Sequence, residues 1–218
     1  MSDQDAQKRA AAASALRFVE NGKLLGVGSG STVNFFIELL GASSARPSGC
    51  VPSSLATEKR LRDQGLPIAA LDEYADLPLY VDGADEIDPA RRMIKGGGAA
   101  LTREKIVATA ARKFVCIVDA SKEKAHLGAF PLPIEVIDFA RGFVADRLRA
   151  MGGSPTLRRG VTTDNGHVIL DVKGLDFSDP DALERALNDL PGVVSSGIFA
   201  QRRADIVLVA TPAGVVER

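Results

Sequence analysis

The stretch that decides the fold is Val81-Asp-Gly-Ala-Asp-Glu-Ile-Asp-Pro89, continued by Ile94-Lys-Gly-Gly-Gly-Ala-Ala-Leu-Thr-Arg-Glu-Lys-Ile106. The apolar run at residues 77–81 is typical of a buried strand, and an apolar-periodic helix is predicted to begin near Ala99. A strand end, a loop and a helix start therefore follow one another. In open α/β sheets, ligands lie outside the carboxyl ends of the strands, so this pattern predicts a site here.

Four groups in this stretch can transfer protons or hold anions, namely Asp82, Asp85, Lys95 and Glu104. Taken singly, each also fits a solvated turn or an exposed helix face. Their concentration in one strand, loop and helix favours a reactive site. The three glycines at 96–98 carry no Cβ atoms, so their backbone can approach a ligand closely.

An earlier segment has the arrangement of a phosphate cradle. A short strand is predicted at residues 23–27, followed by Gly28-Ser-Gly-Ser-Thr32 and a helix at 33–40 that Gly41 closes. The N–H groups of the helix start and the hydroxyls of the loop are expected to point at an anion. A helix terminus contributes only about 0.3–1 kcal/mol per charge, so we expect lysines to join it. The candidates are Lys8 and Lys122.

The glycine loop by itself does not identify its ligand, because an ordinary helix cap has the same composition. It lacks the third glycine and acidic partner of a dinucleotide fingerprint, and also the Gly-Lys-Ser/Thr of a P-loop. The sequence therefore predicts a small phosphate ester as the ligand rather than NAD or ATP.

Helix and strand patterns alternate over the first half of the chain. Helices are predicted at residues 3–21 and 53–65, and strands at 66–70 and 113–119. The serines at 53 and 54 are expected to cap a helix, with substrate contact as the alternative. The strand at 113–119 brings Asp119, Ser121 and Lys122 to the same carboxyl edge as Asp82. This alternation predicts a doubly wound, mainly parallel, Rossmann-like sheet.

The pattern changes near Leu127 to that of a small α+β domain. Strands are predicted at 132–137, 156–161, 168–172 and 193–199, with one helix reaching 151 and another at 179–190. This β-α-β-β-α-β order is ferredoxin-like. The strand left over, at 204–210, is predicted to return to the main sheet. We thus predict a catalytic domain of residues 1–127 with 203–218, and a small domain of residues 128–202 that makes oligomer contacts.

Composition excludes several classes of protein. The 218 residues are 45% hydrophobic and 25% charged, as in an ordinary globular protein. The formal net charge is -1 and no basic run is long, so no nucleic-acid partner is expected, and the Arg158-Arg159 pair is expected to face solvent. No apolar stretch approaches 18 residues and the N-terminus has no apolar signal segment, so we expect no membrane partner and a cytoplasmic location.

The cysteines and histidines point away from metal and triad chemistry. Cys50 and Cys116 have no CxxC spacing, and the apolar run around Cys116 predicts a buried thiol. His126 and His167 are isolated from each other and from acid clusters. Acid–base chemistry is therefore expected from carboxylates and lysine.

Several motifs in one order carry a resemblance to a known family. They are Gly26-Val-Gly-Ser-Gly-Ser-Thr32, Val81-Asp-Gly-Ala-Asp-Glu-Ile87, the segment 94–106, Asp119-Ala-Ser-Lys122, Phe130-Pro-Leu-Pro-Ile-Glu-Val-Ile137 and Pro191-Gly-Val-Val194 with Gly197-Ile-Phe-Ala200. In these motifs the chain resembles ribose-5-phosphate isomerase of the A type from near Lys8 to Val209. The resemblance implies an aldose-ketose isomerase of the non-oxidative pentose phosphate pathway, with no metal or organic cofactor. Family members are usually homodimers and sometimes tetramers.

The resemblance also implies roles for individual residues. Glu104 matches the general base that moves a proton between C1 and C2, and Asp82, Asp85 and Lys95 match residues around the sugar hydroxyls and the enediolate. The substrate contacts implied by the matching motifs are Ser29, Gly30, Ser31, Thr32, Gly83, Ala84, Gly96, Gly97, Gly98, Lys122 and Lys8.

Two other classes of protein fit parts of the same pattern. A sugar-phosphate sensor domain would bind the ester without converting it and would carry a helix-turn-helix segment. A coenzyme A transferase would use Glu104 as a nucleophile and would need a larger acyl-carrier site. Turnover of ribose 5-phosphate separates the isomerase from both.

Overall fold

The structure is a computed structural model that describes residues 2–73 and 76–218. The α-helices of the described residues are α1 (Asp3–Ala15), α2 (Ser31–Ala42), α3 (Leu55–Asp63), α4 (Leu101–Ala110), α5 (Arg141–Ala150) and α6 (Pro180–Asn188). The strands are β1 (Leu24–Val27), β2 (Gly49–Pro52), β3 (Leu77–Asp82), β4 (Glu86–Ile87), β5 (Met93–Ile94), β6 (Ala111–Asp119), β7 (Leu132–Val136), β8 (Ser154–Leu157), β9 (Val168–Lys173), β10 (Val193–Ser196), β11 (Ile198–Phe199), β12 (Ile206–Thr211) and β13 (Gly214–Glu217).

The chain divides into two compact units. The first comprises Met1–Ala84, Arg103–Lys122 and Ala204–Arg218, and the second comprises Asp85–Thr102 and Glu123–Arg203. The second unit therefore includes residues 85–102, which the sequence pattern places in the catalytic domain. The local reason is pairing, because β5 in this segment forms a sheet with β4 and with β11 of the same unit.

The first unit is built on the predicted parallel sheet. Its six strands have the order β13-β12-β6-β3-β1-β2, and every neighbouring pair is parallel except β12 and β13. The mainly parallel α/β fold is thereby confirmed, and so is the return of the late strand, as β12 pairs with β6. The antiparallel edge strand β13 was not predicted.

Helices cover both faces of this sheet because its strands are apolar on both sides. On one face, Leu25 and Val27 pack in a core with the small alanines of α1 and the apolar stripe of α2. On the other face, a Cβ placed on Gly26 would lie 2.8 Å from Tyr80 and from Val107 of α4. The glycine thus leaves room for α4 to pack closely over β1 and β3.

The second unit contains the predicted ferredoxin-like arrangement. Strands β7, β8, β9 and β10 form an antiparallel sheet in the order β10-β7-β9-β8, with α5 and α6 in the connections. Asp179 caps α6 as predicted, since its Oδ1 accepts from the Ala182 N–H at 3.0 Å and Pro180 takes the first helical position. A separate three-stranded sheet has the order β11-β5-β4.

Several predicted elements are wrong in detail. The strand predicted at 66–70 is only an isolated bridge between Cys50 and Ile68. Its two hydrogen bonds join Cys50 to the Pro67 carbonyl and to the Ala69 N–H. Gly41 lies inside α2 rather than ending it. The strand predicted at 193–199 is two strands in different sheets, divided at Gly197, where a Cβ would lie 2.3 Å from the Lys95 carbonyl oxygen. Cys116 is buried as predicted.

Among the residues that the structure describes, no helix is both long and apolar enough to cross a membrane.

Replacing Gly142 with alanine should stabilise the protein. Gly142 lies in α5, and apart from its chain neighbours and the backbone of its own helix, no described atom is within 4 Å of the position its Cβ would take. Alanine has less conformational freedom to lose in a helix, so we expect a gain of about 0.5–1 kcal/mol and a rise in Tm of about 1–3 °C by calorimetry. Gly192→Ala is the matched control, because Gly192 has φ 94° and its Cβ would lie 2.3 Å from the Ala140 Cβ. A gain in both variants would contradict this account.

Candidate active site

The sheet order of the first unit predicts a ligand crevice at the carboxyl ends of β1 and β3. The chain runs from β1 outward to β2 and then returns to β3 on the other side of β1, so the order reverses between β1 and β3. Ligands of doubly wound folds lie at this reversal. The loop after β1 and the end of β3 are joined there by the Gly28 N–H, which donates to the Val81 carbonyl at 2.9 Å.

Asp82, the last residue of β3, is fully buried and holds the loop after β1. Its Oδ1 accepts from the backbone N–H groups of Ser29 at 3.0 Å and Gly83 at 2.7 Å, and its Oδ2 accepts from the Tyr80 hydroxyl at 2.5 Å. Gly28 packs directly on it, since a Cβ there would lie 2.0 Å from the Asp82 Cγ. The carboxylate therefore fixes the shape of the predicted phosphate loop.

The hydroxyl of Ser29 lies among three buried hydroxyls. Its Oγ lies 2.9 Å from Ser53 Oγ, 2.8 Å from Ser54 Oγ and 3.1 Å from Thr57 Oγ1. Thr57 in turn donates to the Gly28 carbonyl at 2.7 Å. Ser54 also caps α3, as predicted, by accepting from the Thr57 N–H at 3.0 Å. The 53–57 segment thus holds the loop after β1 through hydrogen bonds to Ser29 and to the Gly28 carbonyl.

The remaining loop residues lead into α2. Gly30 is the cap residue, with φ 114°, and has no side chain to accept from the first N–H groups of the helix. Ser31 is exposed and Thr32 is half-buried. A helix start with this geometry directs N–H groups and positive dipole outward, which suits an anion.

Glu104 lies in the first turn of α4 and is only 4% exposed. Its charge acts on the Tyr80 hydroxyl, which also donates to Asp82. The pKa of Tyr80 is raised well above its ordinary value, first by burial, then by the charge of Asp82 and then by the charge of Glu104. Two buried carboxylates are therefore grouped around Tyr80 in the first unit. Val107, one turn further along α4, packs by Gly26 and Tyr80, which explains why Glu104 is on this side of the sheet.

The end of β6 lies beside β3 in the sheet, as predicted. Asp119 is buried there, and its Oδ1 accepts from both the N–H and the hydroxyl of Ser121. Lys122 follows in a half-buried 3-10 turn, and Lys8 is half-buried on α1. Both lysines belong to the first unit.

The second unit holds the other two predicted catalytic groups. Asp85 Oδ2 accepts from the Gly97 N–H at 2.7 Å, and the half-buried Asp85 thereby anchors the glycine loop. Lys95 is 2% exposed, its N–H donates to the Gly197 carbonyl at 2.9 Å, and its Nζ lies 5.5 Å from the centroid of the Phe199 ring. The pairing of β5 with β11 positions this lysine.

Sequence reasoning missed the residues that support these groups. Tyr80 and Phe199 sit in apolar runs, where an aromatic residue predicts core packing only. Arg158 was expected to face solvent, and this is wrong, because its Nη1 donates to the Gly96 and Gly97 carbonyls at 3.0 Å. No local pattern could reveal a contact that joins residues so far apart in the chain.

Replacing Tyr80 with phenylalanine should change how stability depends on pH. The folded state holds Tyr80 neutral beside two carboxylates, so the stabilisation is complete below the unfolded tyrosine pKa of about 10 and is lost as the pH rises above it. At pH 8 the variant should be less stable by about 1.5–3 kcal/mol, since it loses a hydrogen bond to a charged group. By pH 11 the difference in the free energy of unfolding between the two proteins should shrink by about 1 kcal/mol.

Urea unfolding of both proteins at pH 8 and pH 11 measures this change. Burial raises the pKa of Cys50 to about 12, which also weakens folding in alkali, but this contribution is the same in both proteins and cancels in the difference. A difference that stays constant between the two pH values would contradict the account.

Comparison with known proteins gives one consistent family. Residues 49–214 match the family model described as ribose 5-phosphate isomerase A (phosphoriboisomerase A). The chain is 61% identical over 214 residues to ribose-5-phosphate isomerase A of Acidithiobacillus ferrooxidans, covering 98% of each. The crystal structure of ribose 5-phosphate isomerase A from Neisseria gonorrhoeae has a TM-score of 0.98 and 46% identity, over 100% of this chain and 97% of that one.

A third relative was solved with a ligand. It is a D-ribose-5-phosphate isomerase in complex with phospho-erythronic acid, with a TM-score of 0.95 and 40% identity, over 100% of this chain and 99% of that chain. The matches extend over nearly the full length, in sequence and in fold. The chain therefore belongs to the ribose 5-phosphate isomerase A family, the isomerases that interconvert ribose 5-phosphate and ribulose 5-phosphate in the pentose phosphate pathway.

Proposed function

We propose that Glu104 is the base that moves the proton between C1 and C2 of the sugar phosphate. The observation that carries this is the grouping of two buried carboxylates, Glu104 and Asp82, around the Tyr80 hydroxyl in the first unit. An ionised carboxylate has oxygen lone pairs that can accept a proton from carbon. A single carboxylate that takes a proton from one carbon can return it to the neighbouring carbon.

The other three proposed catalytic groups act on the hydroxyl and enediolate oxygens of the sugar. Asp82 and Asp85 relay the hydroxyl proton, and Lys95 supplies positive charge where the enediolate develops. Preorganised donors of this kind are worth about 3–4 kcal/mol each when aimed at developing charge. The burial of Lys95, at 2% exposed, supports a strong electrostatic effect because little solvent screens it.

The loop after β1 is proposed to hold the phosphate. Ser29, Gly30, Ser31 and Thr32 contribute N–H groups and hydroxyls, and Ser29 also shapes the loop through Asp82 and the hydroxyl cluster. Lys8 and Lys122 contribute charge. The remaining proposed substrate contacts are Gly83, Ala84, Gly96, Gly97 and Gly98. The relative solved with phospho-erythronic acid, a phosphate ester with a carboxylate, supports a ligand of this class.

The experiment is conversion of ribose 5-phosphate by the purified protein in excess metal chelator, followed by NMR in D₂O. Transfer through a carboxylate places some solvent deuterium on C1 of the ribulose 5-phosphate formed, because the proton on the base exchanges with water. A hydride shift would leave C1 without deuterium and would exclude Glu104 as the base. Loss of activity that added metal restores would overturn the metal-free mechanism.

We also propose a homodimer formed through the second unit, where residues 128–202 were expected to make oligomer contacts. Three large apolar side chains are exposed there: Ile137, Phe139 and Phe143, with Phe139 fully exposed. Exposed apolar patches of this kind mark protein interfaces. Light scattering should give twice the mass of one chain, and Phe139→Ser should shift the mass toward the monomer. An unchanged mass in the variant would place the interface elsewhere.

A cytoplasmic location is proposed from the two cysteines. Cys50 and Cys116 are both buried thiols and form no disulfide, as is usual in a reducing compartment. Cell fractionation tests the proposal, and recovery of the protein outside the cytoplasmic fraction would contradict it.

A further inference from the structure

The glycine loop after β5 is held on two sides within the second unit. On one side, Arg158 Nη1 donates to the carbonyl oxygens of Gly96 and Gly97, each at 3.0 Å. On the other side, the Gly97 N–H donates to Asp85 Oδ2 at 2.7 Å. A Cβ on Gly97 would lie 2.7 Å from Asp85 Oδ1, so a larger residue would require the Asp85 carboxylate to shift.

Peptide geometry converts these contacts into a direction for the loop N–H groups. In a planar trans peptide, the carbonyl and the N–H of one unit point in opposite directions. Because the Gly96 carbonyl points to Arg158, the Gly97 N–H points away from it, as its bond to Asp85 shows. In the next peptide unit the Gly97 carbonyl also points to Arg158. The exposed Gly98 N–H therefore points away from Arg158, to the side on which Asp85 lies.

Arg158 is itself fixed by a second residue. Its Nε donates to Asp171 Oδ2 at 2.8 Å and its Nη2 to Asp171 Oδ1 at 2.5 Å. The two side chains are only 17% and 26% exposed. Asp171 balances the charge of Arg158, so what the guanidinium provides to the loop is mainly geometry. A planar fork can serve two edges at once, which a lysine ammonium cannot do.

We infer that Arg158 is a positioning residue for the isomerisation, which orients the N–H groups of Gly97 and Gly98 toward Asp85 and the substrate oxygens. The inference rests on the proposed function, in which this loop contacts the sugar. Because the Gly96 and Gly97 carbonyls face Arg158, the Gly97 and Gly98 N–H groups face the side on which Asp85 lies, where we infer that enediolate charge is stabilised. Without Arg158 the peptide unit between Gly97 and Gly98 loses the guanidinium contact that orients it. The Gly96 carbonyl keeps its bond from the Ala99 N–H at 2.9 Å, and the Gly97 N–H keeps its bond to Asp85.

The first test is the kinetics of Arg158→Ala and Arg158→Lys. We expect kcat to fall about a hundredfold in Arg158→Ala, the size of effect that misplaced transition-state donors produce, while KM changes by less than about threefold. Arg158→Lys keeps the charge and should recover less than about a tenth of the lost activity. Arg159→Ala is the matched control, because the neighbouring arginine is exposed, and it should behave as the wild type.

The second test reads the loop directly by hydrogen exchange in the full chain. Amides at 95–100 should exchange at least about tenfold faster in Arg158→Ala than in the wild type, with the strand at 24–27 unchanged. Wild-type kcat in Arg158→Ala, full recovery in Arg158→Lys, or unchanged exchange at 95–100 would each overturn the inference. If the wild type itself fails to convert ribose 5-phosphate, the proposed function fails, and exchange still decides whether Arg158 holds the loop.

Discussion

Glu104→Gln should lower kcat for ribose 5-phosphate by about 10²–10⁴-fold and leave binding of the phosphate ester nearly unchanged. Glutamine has the shape of glutamate but cannot accept the proton from carbon. Glu104 is 4% exposed in the first turn of α4, so the amide occupies the same buried place and the fold should tolerate it. Because the base acts only in the chemical step, kcat and kcat/KM should fall together.

The measurement pairs a turnover assay in metal chelator with calorimetric binding of phospho-erythronic acid. Glu38→Gln is the matched control, since Glu38 is an exposed glutamate of α2 whose carboxylate lies 3.7 Å from Arg9. It should retain wild-type turnover. Activity of Glu104→Gln within threefold of the wild type would show that another group is the base. Loss of ligand binding in Glu104→Gln would show a role in binding rather than in proton transfer.

Gly28→Ala should destabilise the protein by about 3 kcal/mol or more and abolish turnover. The added Cβ would lie 2.0 Å from both Cγ and Oδ1 of Asp82. Asp82 cannot move aside without losing its bonds to the Ser29 and Gly83 N–H groups and to the Tyr80 hydroxyl. Each hydrogen bond to a charged group is worth about 1.5–3 kcal/mol, so either the clash or the lost bonds are costly.

Urea unfolding and calorimetry measure this effect, and a fall in Tm of about 6–12 °C is expected. Gly83→Ala is the control for stability, because its Cβ would lie at an ordinary 3.5 Å from the Ile117 carbonyl oxygen. Its Tm should lie within about 3 °C of the wild type. A Gly28→Ala protein with wild-type Tm would mean that the loop after β1 can shift, which would contradict its anchoring by Asp82.

The sequence was sufficient where local patterns decide structure. The apolar runs of β1, β3 and β6 and the glycine loop before α2 predicted a parallel sheet with reactive groups at the strand ends, and β12 returned to this sheet as predicted. The order of strands and helices after residue 127 predicted the ferredoxin-like arrangement. These features depend on hydrophobic periodicity and on turn chemistry, both of which are visible in a short window.

Features that depend on distant contacts could not be predicted. Nothing near Gly197 shows that a side chain there would meet the Lys95 carbonyl and that the strand must change sheets. Likewise, Arg158 looks like half of a surface pair until Asp171 and the glycine carbonyls are placed beside it. The roles of Asp82, Asp85, Lys95 and Glu104 in the reaction stay predictions, for which the kinetic experiments are the test.

The first unit is built from three separate segments of the chain, and this constrains the order in which its sheet can form during synthesis. Its central strand β6 pairs with β12, yet the bulk of the second unit, Glu123–Arg203, lies between these two strands in the sequence. The ribosome must therefore release the whole of that unit before the parallel sheet can gain β12. During this interval β6 has an unpaired edge, which makes partly synthesised chains prone to aggregation. Slow translation or early chaperone binding should matter more here than for a sheet of consecutive strands.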